Sequence, residues 1–255
     1  QTTFPACKHE AKRLQLLCSE TRFSWEEQQV HSNKMHFCFK LWLFCDTGDR
    51  STQTVIFPTQ TSTSYVEMTP KKDMTLRAFT LCLQVATELS GEREIILFAY
   101  GKRDDELNVW REQNRGISLY LGESSNGVTF KVPDPGALHT HLCLTWDSTT
   151  GASTLFMNGR RSLTKVYKKG HTIPAGGKVI LGQDPDNIEK MEAGFDANQS
   201  LVGEIFDVNL WDFVLSDSDI LDLYSGKKVQ RGNIFDWETT NLRVSGNTLV
   251  LKHQV

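Results

Sequence analysis

The chain has 255 residues, enough to bury the core of one large β domain or of two smaller ones. Hydrophobic residues make up 39% and charged residues 23% of the chain, as in ordinary soluble globular proteins. The formal net charge of -3 argues against a general nucleic-acid binder, which usually carries a basic excess. No apolar run reaches the length of a bilayer span, so we predict no membrane span.

Residues 1–52 are irregular and are predicted to form an N-terminal extension of unknown structure. They contain a helix-like patch at 10–17 and an apolar run at 37–45. We interpret this run as a short buried strand or hairpin, with a degraded signal-like stretch as the alternative. The sequence does not choose among the three possible pairings of the four N-terminal cysteines, Cys7, Cys18, Cys38 and Cys45.

From residue 53 onward, short alternating or apolar segments are separated by turn clusters. Asn158-Gly159 between two such segments is typical of a tight hairpin turn. Many short strands separated by frequent turns favour an antiparallel sandwich over residues 53–255. The first predicted strands cover residues 54–57, 64–68, 79–85, 94–100, 106–110, 116–121, 128–132, 139–146, 153–157 and 178–181.

One helix is predicted near the C-terminus. Ser216 is suited to cap its first turn, acidic residues follow, and Gly226 is suited to end it. Ile220 and Tyr224 share its apolar face. Two more strands are predicted around 233–237 and 248–252.

A distinctive segment runs from His141 to Ser148 and reads HLCLTWDS. Period-two alternation places Leu142, Leu144 and Trp146 on one strand face and Cys143 on the other. This pattern resembles the signature of the pentraxin family. Further blocks follow in the family's order, including ILGQ at 180–183, QSLVGEI at 199–205 and NLWDFVLS at 209–216.

The resemblance implies an all-β, antiparallel two-sheet sandwich of the lectin-like jelly-roll kind, with one short α-helix near the C-terminus. It makes residues 53–255 the pentraxin domain. Together with their central positions in two strands, it predicts a disulfide between Cys82 and Cys143. The six cysteines form no close Cys-x-x-Cys pair, which favours a disulfide-bearing secreted protein over a zinc protein.

Three acidic clusters fall in predicted loops, at 104–106, 184–187 and 196–199. Acidic loops alone are usually solvated turns, and no EF-hand spacing is present. The resemblance gives them a role, because the family holds a pair of calcium ions on one face. The residues that match its ligands are Asp104, Asp105, Asp184, Pro185 through its carbonyl, Asp186 and Gln199.

The resemblance also implies a ligand pocket beside the metal. Trp110 matches an aromatic position that could offer a cation–π face, and Glu123 could replace a glutamate that faces the ammonium group of the ligand. Tyr120 stands where a smaller residue shapes a choline pocket, so we expect it to disfavour phosphocholine. Core packing is the alternative for both aromatics, although alternation puts Trp110 on one face with Glu106 and Asn108.

We therefore expect a secreted, extracellular pattern-recognition protein of innate defence that binds phosphorylated or acidic-sugar ligands through calcium and is not an enzyme. Expected partners are copies of itself in a cyclic oligomer, most often of five subunits, and complement recognition proteins. One alternative is a metal-free adhesion or structural module that has lost ligand binding. The other is a calcium-assisted glycan hydrolase, which would need a close carboxylate pair in a groove.

Two smaller features are open to more than one interpretation. His139 and His141 alternate along a strand and could hold zinc, although a structural role for His141 is favoured. Asn198-Gln199-Ser200 is a formal N-glycosylation acceptor beside a predicted metal ligand. Whether Asn198 carries a glycan is left open.

Overall fold

The computed structural model describes residues 51–91, 93–113, 116–185, 195–227 and 229–254. Ser51–Val255 forms one compact unit. The predicted helical patch at 10–17, the apolar run at 37–45 and the four N-terminal cysteines lie outside the described residues.

Fifteen strands and one α-helix occur in the described part of the chain. The helix, α1, is Asp217–Tyr224. The strands are β1 (Ser51–Phe57), β2 (Tyr65–Met68), β3 (Ala78–Ala86), β4 (Ile95–Gly101), β5 (Asp105–Glu112), β6 (Gly116–Leu121), β7 (Val128–Phe130), β8 (Thr140–Asp147), β9 (Ala152–Met157), β10 (Arg160–Arg161), β11 (Lys165–Val166), β12 (Lys178–Leu181), β13 (Gly203–Trp211), β14 (Leu242–Ser245) and β15 (Leu249–Gln254).

The strands form two sheets. Sheet A has the order β10-β9-β8-β3-β13-β1-β15, and β11 also pairs with β9. Sheet B has the order β14-β2-β12-β4-β5-β6-β7. The strand pairs in both sheets are antiparallel. One large apolar core draws side chains from both sheets, so the predicted all-β two-sheet sandwich is confirmed.

Strand β8 shows how the alternating pattern directs side chains. Leu142, Leu144 and Trp146 are buried in the core between the sheets. Cys143 points to the opposite face and belongs to a second apolar cluster. The predicted separation of these residues onto two faces is therefore confirmed.

The predicted disulfide between Cys82 and Cys143 is present. The two residues lie directly opposite each other on β3 and β8, with their Cα atoms 4.0 Å apart. The bridge therefore joins neighbouring strands within sheet A and does not connect the two sheets.

Helix α1 begins and ends as the sequence predicts. The side chain of Ser216 accepts a hydrogen bond from the backbone N–H of Asp219 at 3.1 Å, which caps the first turn. Gly226 follows the helix with a φ of 71°, a left-handed conformation that suits glycine. Ile220 is buried beside the disulfide, whereas Tyr224 remains about half exposed. Helix α1 thus covers the outer face of sheet A.

The predicted strand at 233–237 is wrong. Only an isolated bridge between Leu210 and Phe235 is formed there, and the segment continues into a turn closed by Asp236. Its apolar residues Ile234, Phe235 and Trp237 are nevertheless buried in the core. A buried apolar loop and a short buried strand have the same composition, so periodicity could not separate them.

No helix in the described part of the chain is long and apolar enough to cross a bilayer.

Candidate functional site

The outer face of sheet B carries a pocket of about 460 Å³. Strand β5 supplies its floor, because its pleat turns Leu107 and Val109 into the core and Asn108, Trp110 and Glu112 outward. The residues that line the pocket are Glu94, Asp104, Asp105, Asn108, Trp110, Glu112, Tyr120, Gly122, Glu123, Ser124, Ser125 and Gln199.

The pocket brings together most of the predicted site residues. The six that line it are Asp104, Asp105, Trp110, Tyr120, Glu123 and Gln199. Asp184 is 4% exposed and accepts a hydrogen bond from Asn108, which lines the pocket. Pro185 follows it and is also buried. Asp186 lies outside the described residues.

Negative charge is concentrated at one end of the pocket, which we call the acidic end and define by Asp104, Asp105 and Glu123. A hydrogen bond with Asp104, together with the charge of that carboxylate, raises the pKa of Glu123. Burial raises the pKa of neighbouring Glu106, and the charges of Glu123, Asp104 and Asp105 raise it further. Carboxylates held this close disfavour one another's ionisation, and a bound cation would relieve the repulsion.

The oxygen atoms at this end fit the predicted calcium. Carboxylates, an amide such as that of Gln199 and backbone carbonyls are the hard oxygen ligands that calcium takes. One further oxygen points to an incomplete site, because Oδ1 of Asn108 is buried and has no hydrogen-bond partner in the described part of the chain. Alternation had placed Asn108 on this face, but nothing in the sequence pattern indicated its contact with Asp184.

Gln199 is brought to the pocket by a short 3₁₀ helix, Ala197–Gln199. Asp196 caps it by accepting a hydrogen bond from the backbone N–H of Asn198 at 2.8 Å. Gln60 and Arg93 donate to the side chain and the carbonyl of Asn198, at 3.1 and 2.5 Å. These contacts fasten the turn to two other loops. The side chain of Asn198 is exposed, and whether it carries a glycan stays open.

The other end of the pocket is aromatic. The hydroxyl of Tyr120 donates to Oε1 of Glu112 at 3.0 Å. Burial, with the charge and hydrogen bond of Glu112, raises the pKa of Tyr120 to about 12, so the phenol stays protonated. Trp110 is 8% exposed and packs in a small outer cluster with Ile96 and Ile180. Trp110 therefore packs in the fold and also lines the pocket.

The carboxylates at the aromatic end are Glu112 and Glu94. Both line the pocket, and both raise the pKa of Tyr120 through their negative charge. Glu123, the sequence's candidate for the residue that faces the ammonium group, also lines the pocket and lies beside Asp104. The loop at 122–127 packs against the phenol, since a Cβ at Gly127 would approach the Tyr120 ring to 2.7 Å.

His139, just before β8, and His141, within β8, do not form a metal site in the described residues. Nε2 of His139 lies 3.1 Å from a carboxylate oxygen of Glu204, whereas Nε2 of His141 lies 3.5 Å from Sγ of Cys143. The cluster of Cys82, His141 and Cys143 has the spacing of metal ligands, but its two sulfurs are bonded to each other. His141 therefore has the structural environment that the sequence favoured.

Comparison with known proteins gives a consistent result. The profile of the Pentaxin family matches residues 53–252. A C-reactive protein of Danio rerio is 49% identical over 196 residues, which cover 76% of this chain and 86% of the relative. A serum amyloid P-component of Mus musculus is 32% identical over 207 residues, which cover 81% of this chain and 89% of the relative.

Among solved structures, the native heptameric SAP-like pentraxin of Limulus polyphemus superposes with a TM-score of 0.68 at 21% identity. The match covers 80% of this chain and 96% of that chain, and at this identity it supports the fold alone. The family profile spans most of the chain, and the identities to relatives are high over most of their length. The chain therefore belongs to the pentraxin family.

Proposed function

We propose that this chain is a secreted, calcium-dependent recognition protein of innate defence that binds phosphorylated or acidic-sugar ligands and performs no catalysis. The observation that carries the proposal is the pocket on sheet B, where Asp104, Asp105, Glu123 and Gln199 converge beside Trp110 and Tyr120. The relatives named as C-reactive protein and serum amyloid P-component support the same role.

Calcium would be held at the acidic end. Asp104, Asp105 and Gln199 would supply ligands from two loops, and Asp184, the Pro185 carbonyl and Asp186 would complete a pair of calcium sites. Glu123 adds a carboxylate beside Asp104. When bound, calcium supplies concentrated positive charge that attracts the anionic oxygens of a phosphate or an acidic sugar.

The aromatic end would bind the part of the ligand that carries an ammonium group. Glu112 and Glu94 place negative charge beside Tyr120, which suits an ammonium group. Tyr120 narrows the space for three methyl groups on that nitrogen. A primary ammonium, as in phosphoethanolamine, can also donate hydrogen bonds to the carboxylates, whereas a trimethylammonium cannot.

A ring of copies would strengthen such binding. Several weak sites on one rigid assembly engage a repetitive surface together, so the overall affinity exceeds that of one site. We propose a cyclic homo-oligomer of five subunits, with complement recognition proteins as partners. The heptamer named for the Limulus pentraxin shows that ring size needs its own measurement in this chain.

Calorimetry tests the proposal. Calcium should bind wild-type protein and raise its melting temperature, and phosphoethanolamine should bind only when calcium is present. Asp105→Asn should weaken calcium binding, whereas Asp222→Asn, which changes an acid on α1 at the other sheet, should leave it unchanged. Absence of calcium binding in the wild type would overturn the proposal and favour a metal-free adhesion module.

A further inference from the structure

Asn108 is the feature that the proposed site leaves unexplained. It lies in the middle of β5, opposite Ala99 on β4 and Tyr120 on β6. Its side chain is on the outer face but is only 2% exposed. A polar side chain this buried normally has all of its hydrogen-bonding groups paired.

One half of the Asn108 amide is paired. Nδ2 donates to Oδ1 of Asp184 at 2.9 Å, and both side chains are buried. An amide N–H is a donor only and an ionised carboxylate is an acceptor only, so the orientation of this amide is fixed by its partner. The contact holds one carboxylate oxygen of Asp184 in a defined place.

The other half of the amide is unpaired. Several buried polar side-chain atoms lack a partner in the described residues, but among the residues lining the pocket only Asn108 contributes one, through Oδ1. A buried carbonyl oxygen without a partner costs free energy. Asn108 therefore has an unused hydrogen-bond acceptor beside Asp184, a residue of the proposed cation site.

A second buried asparagine gives the comparison. Asn209 on β13 is 8% exposed, and its Nδ2 donates to the carbonyl and the carboxylate of Asp207 at 3.0 and 2.7 Å. Its Oδ1 accepts from the backbone N–H of Trp237 at 3.2 Å. Both ends of this amide are therefore paired within the fold, as expected for a purely structural residue.

We infer that Asn108 is a positioning residue of the cation site, fixing Asp184 through Nδ2 and accepting a hydrogen bond at Oδ1 from water bound to the cation. The inference rests on the proposed function. Groups that orient metal ligands tune affinity strongly, and their loss typically weakens metal binding about 10- to 100-fold.

The test compares three variants by calcium calorimetry and by melting temperature in EDTA. Asn108→Leu keeps the branched shape, removes both polar groups and should weaken calcium binding about 10- to 100-fold. Asn209→Leu is the matched control, and it should lower the melting temperature in EDTA without changing the calcium dissociation constant. A purely structural Asn108 would behave as this control does.

Asn108→Asp keeps the shape and size of the side chain. It provides a second test in case the leucine variant does not fold. An ionised aspartate cannot donate to Asp184 and repels it, so calcium binding should weaken again. Binding tighter than wild type would show that an oxygen at this position is a direct ligand, which would overturn the positioning role.

The outcomes separate the two proposals. Wild-type protein that binds no calcium overturns the proposed function and this inference with it. Wild-type protein that binds calcium, with Asn108→Leu binding within twofold of it, overturns the role of Asn108 alone. Titration with terbium, followed by emission sensitised by Trp110, provides the same comparison without any organic ligand.

Discussion

His141 is a histidine enclosed between the disulfide and helix α1. It is 5% exposed, its Nε2 lies 3.5 Å from Sγ of Cys143, and its ring stacks at a tilt against Tyr224. Burial lowers the pKa of His141 to about 4 from an ordinary value of 6.5. The folded state therefore favours the neutral form of His141, and protonation of this imidazole at low pH destabilises the fold.

Acid should destabilise the fold through this residue. Between pH 6.5 and about 4 the unfolded state binds a proton that folded His141 does not, so the free energy of unfolding falls as pH falls. Stability from this residue is complete above pH 6.5, and about 3 kcal/mol is lost by pH 4. Denaturant unfolding at a series of pH values measures the slope.

The matched variants for this prediction are His141→Gln and His139→Gln. The first should flatten the slope in this pH window. The second changes an exposed histidine just before β8 and controls for the general effect of replacing a histidine with glutamine. An unchanged slope in His141→Gln would assign the acid sensitivity to other groups.

Tyr120 should set ligand selectivity. We expect wild-type protein to bind phosphoethanolamine better than phosphocholine, because the half-buried phenol narrows the pocket. Tyr120→Thr should improve phosphocholine binding by about 1–3 kcal/mol and leave phosphoethanolamine nearly unchanged. Calorimetry of both ligands at saturating calcium gives the comparison.

Tyr120→Phe distinguishes the effect of the ring's size on ligand selectivity from that of its hydrogen bond to Glu112. It removes the hydroxyl that donates to Glu112 but keeps the ring, so discrimination against phosphocholine should persist. A preference of wild-type protein for phosphocholine would show that Tyr120 does not obstruct the trimethylammonium group.

At the level of elements, regular alternation made most strands predictable. Strand β13 was not predicted, and its backbone is irregular. Strand β13 escaped prediction because its pairing with β3 shifts register between Phe206 and Asn209. Asp207 within this bulge has a φ of 53°, which breaks the two-residue period. The end of α1 was predictable because cap residues act locally, whereas a bulge is imposed by the neighbouring strand.

The disulfide should stabilise sheet A measurably. Cys82→Ala combined with Cys143→Ala should lower the free energy of unfolding by roughly 4 kcal/mol, the chain-entropy value for a loop of this length. Denaturant unfolding measures the loss, and peptide mapping without reduction should recover the two cysteines as one linked fragment. Two free thiols in the native protein would contradict the bridge.

At the level of the whole molecule, the site needs residues far apart in sequence to meet. The family resemblance pointed to Asp104, Asp105 and Gln199, and all three line one pocket. It could not find Asn108, whose role depends on a contact with Asp184 across the sheet. Glu123 also lines this pocket, beside Asp104.

Assembly should depend on apolar side chains outside the pocket. Leu163 and Val166 lie close in sequence around β11 and are 82% and 76% exposed, and we propose that copies of the chain meet through them. Leu163→Asp should therefore reduce a ring to smaller species in sedimentation velocity. Leu138→Asp changes a leucine that is 85% exposed elsewhere and serves as the control. Equal effects of the two variants would argue against this surface.

The position of the disulfide has a consequence for how this protein can diversify. Strands β4 to β7, which carry most of the pocket, lie between Cys82 and Cys143 in the chain. The chain leaves sheet A at the end of β3 and returns to it at the start of β8, and the disulfide joins these two paired strands. The disulfide thus closes, within sheet A, the stretch of chain that contains strands β4 to β7. The loops of this segment can therefore be lengthened while the pairing of β3 with β8 stays the same.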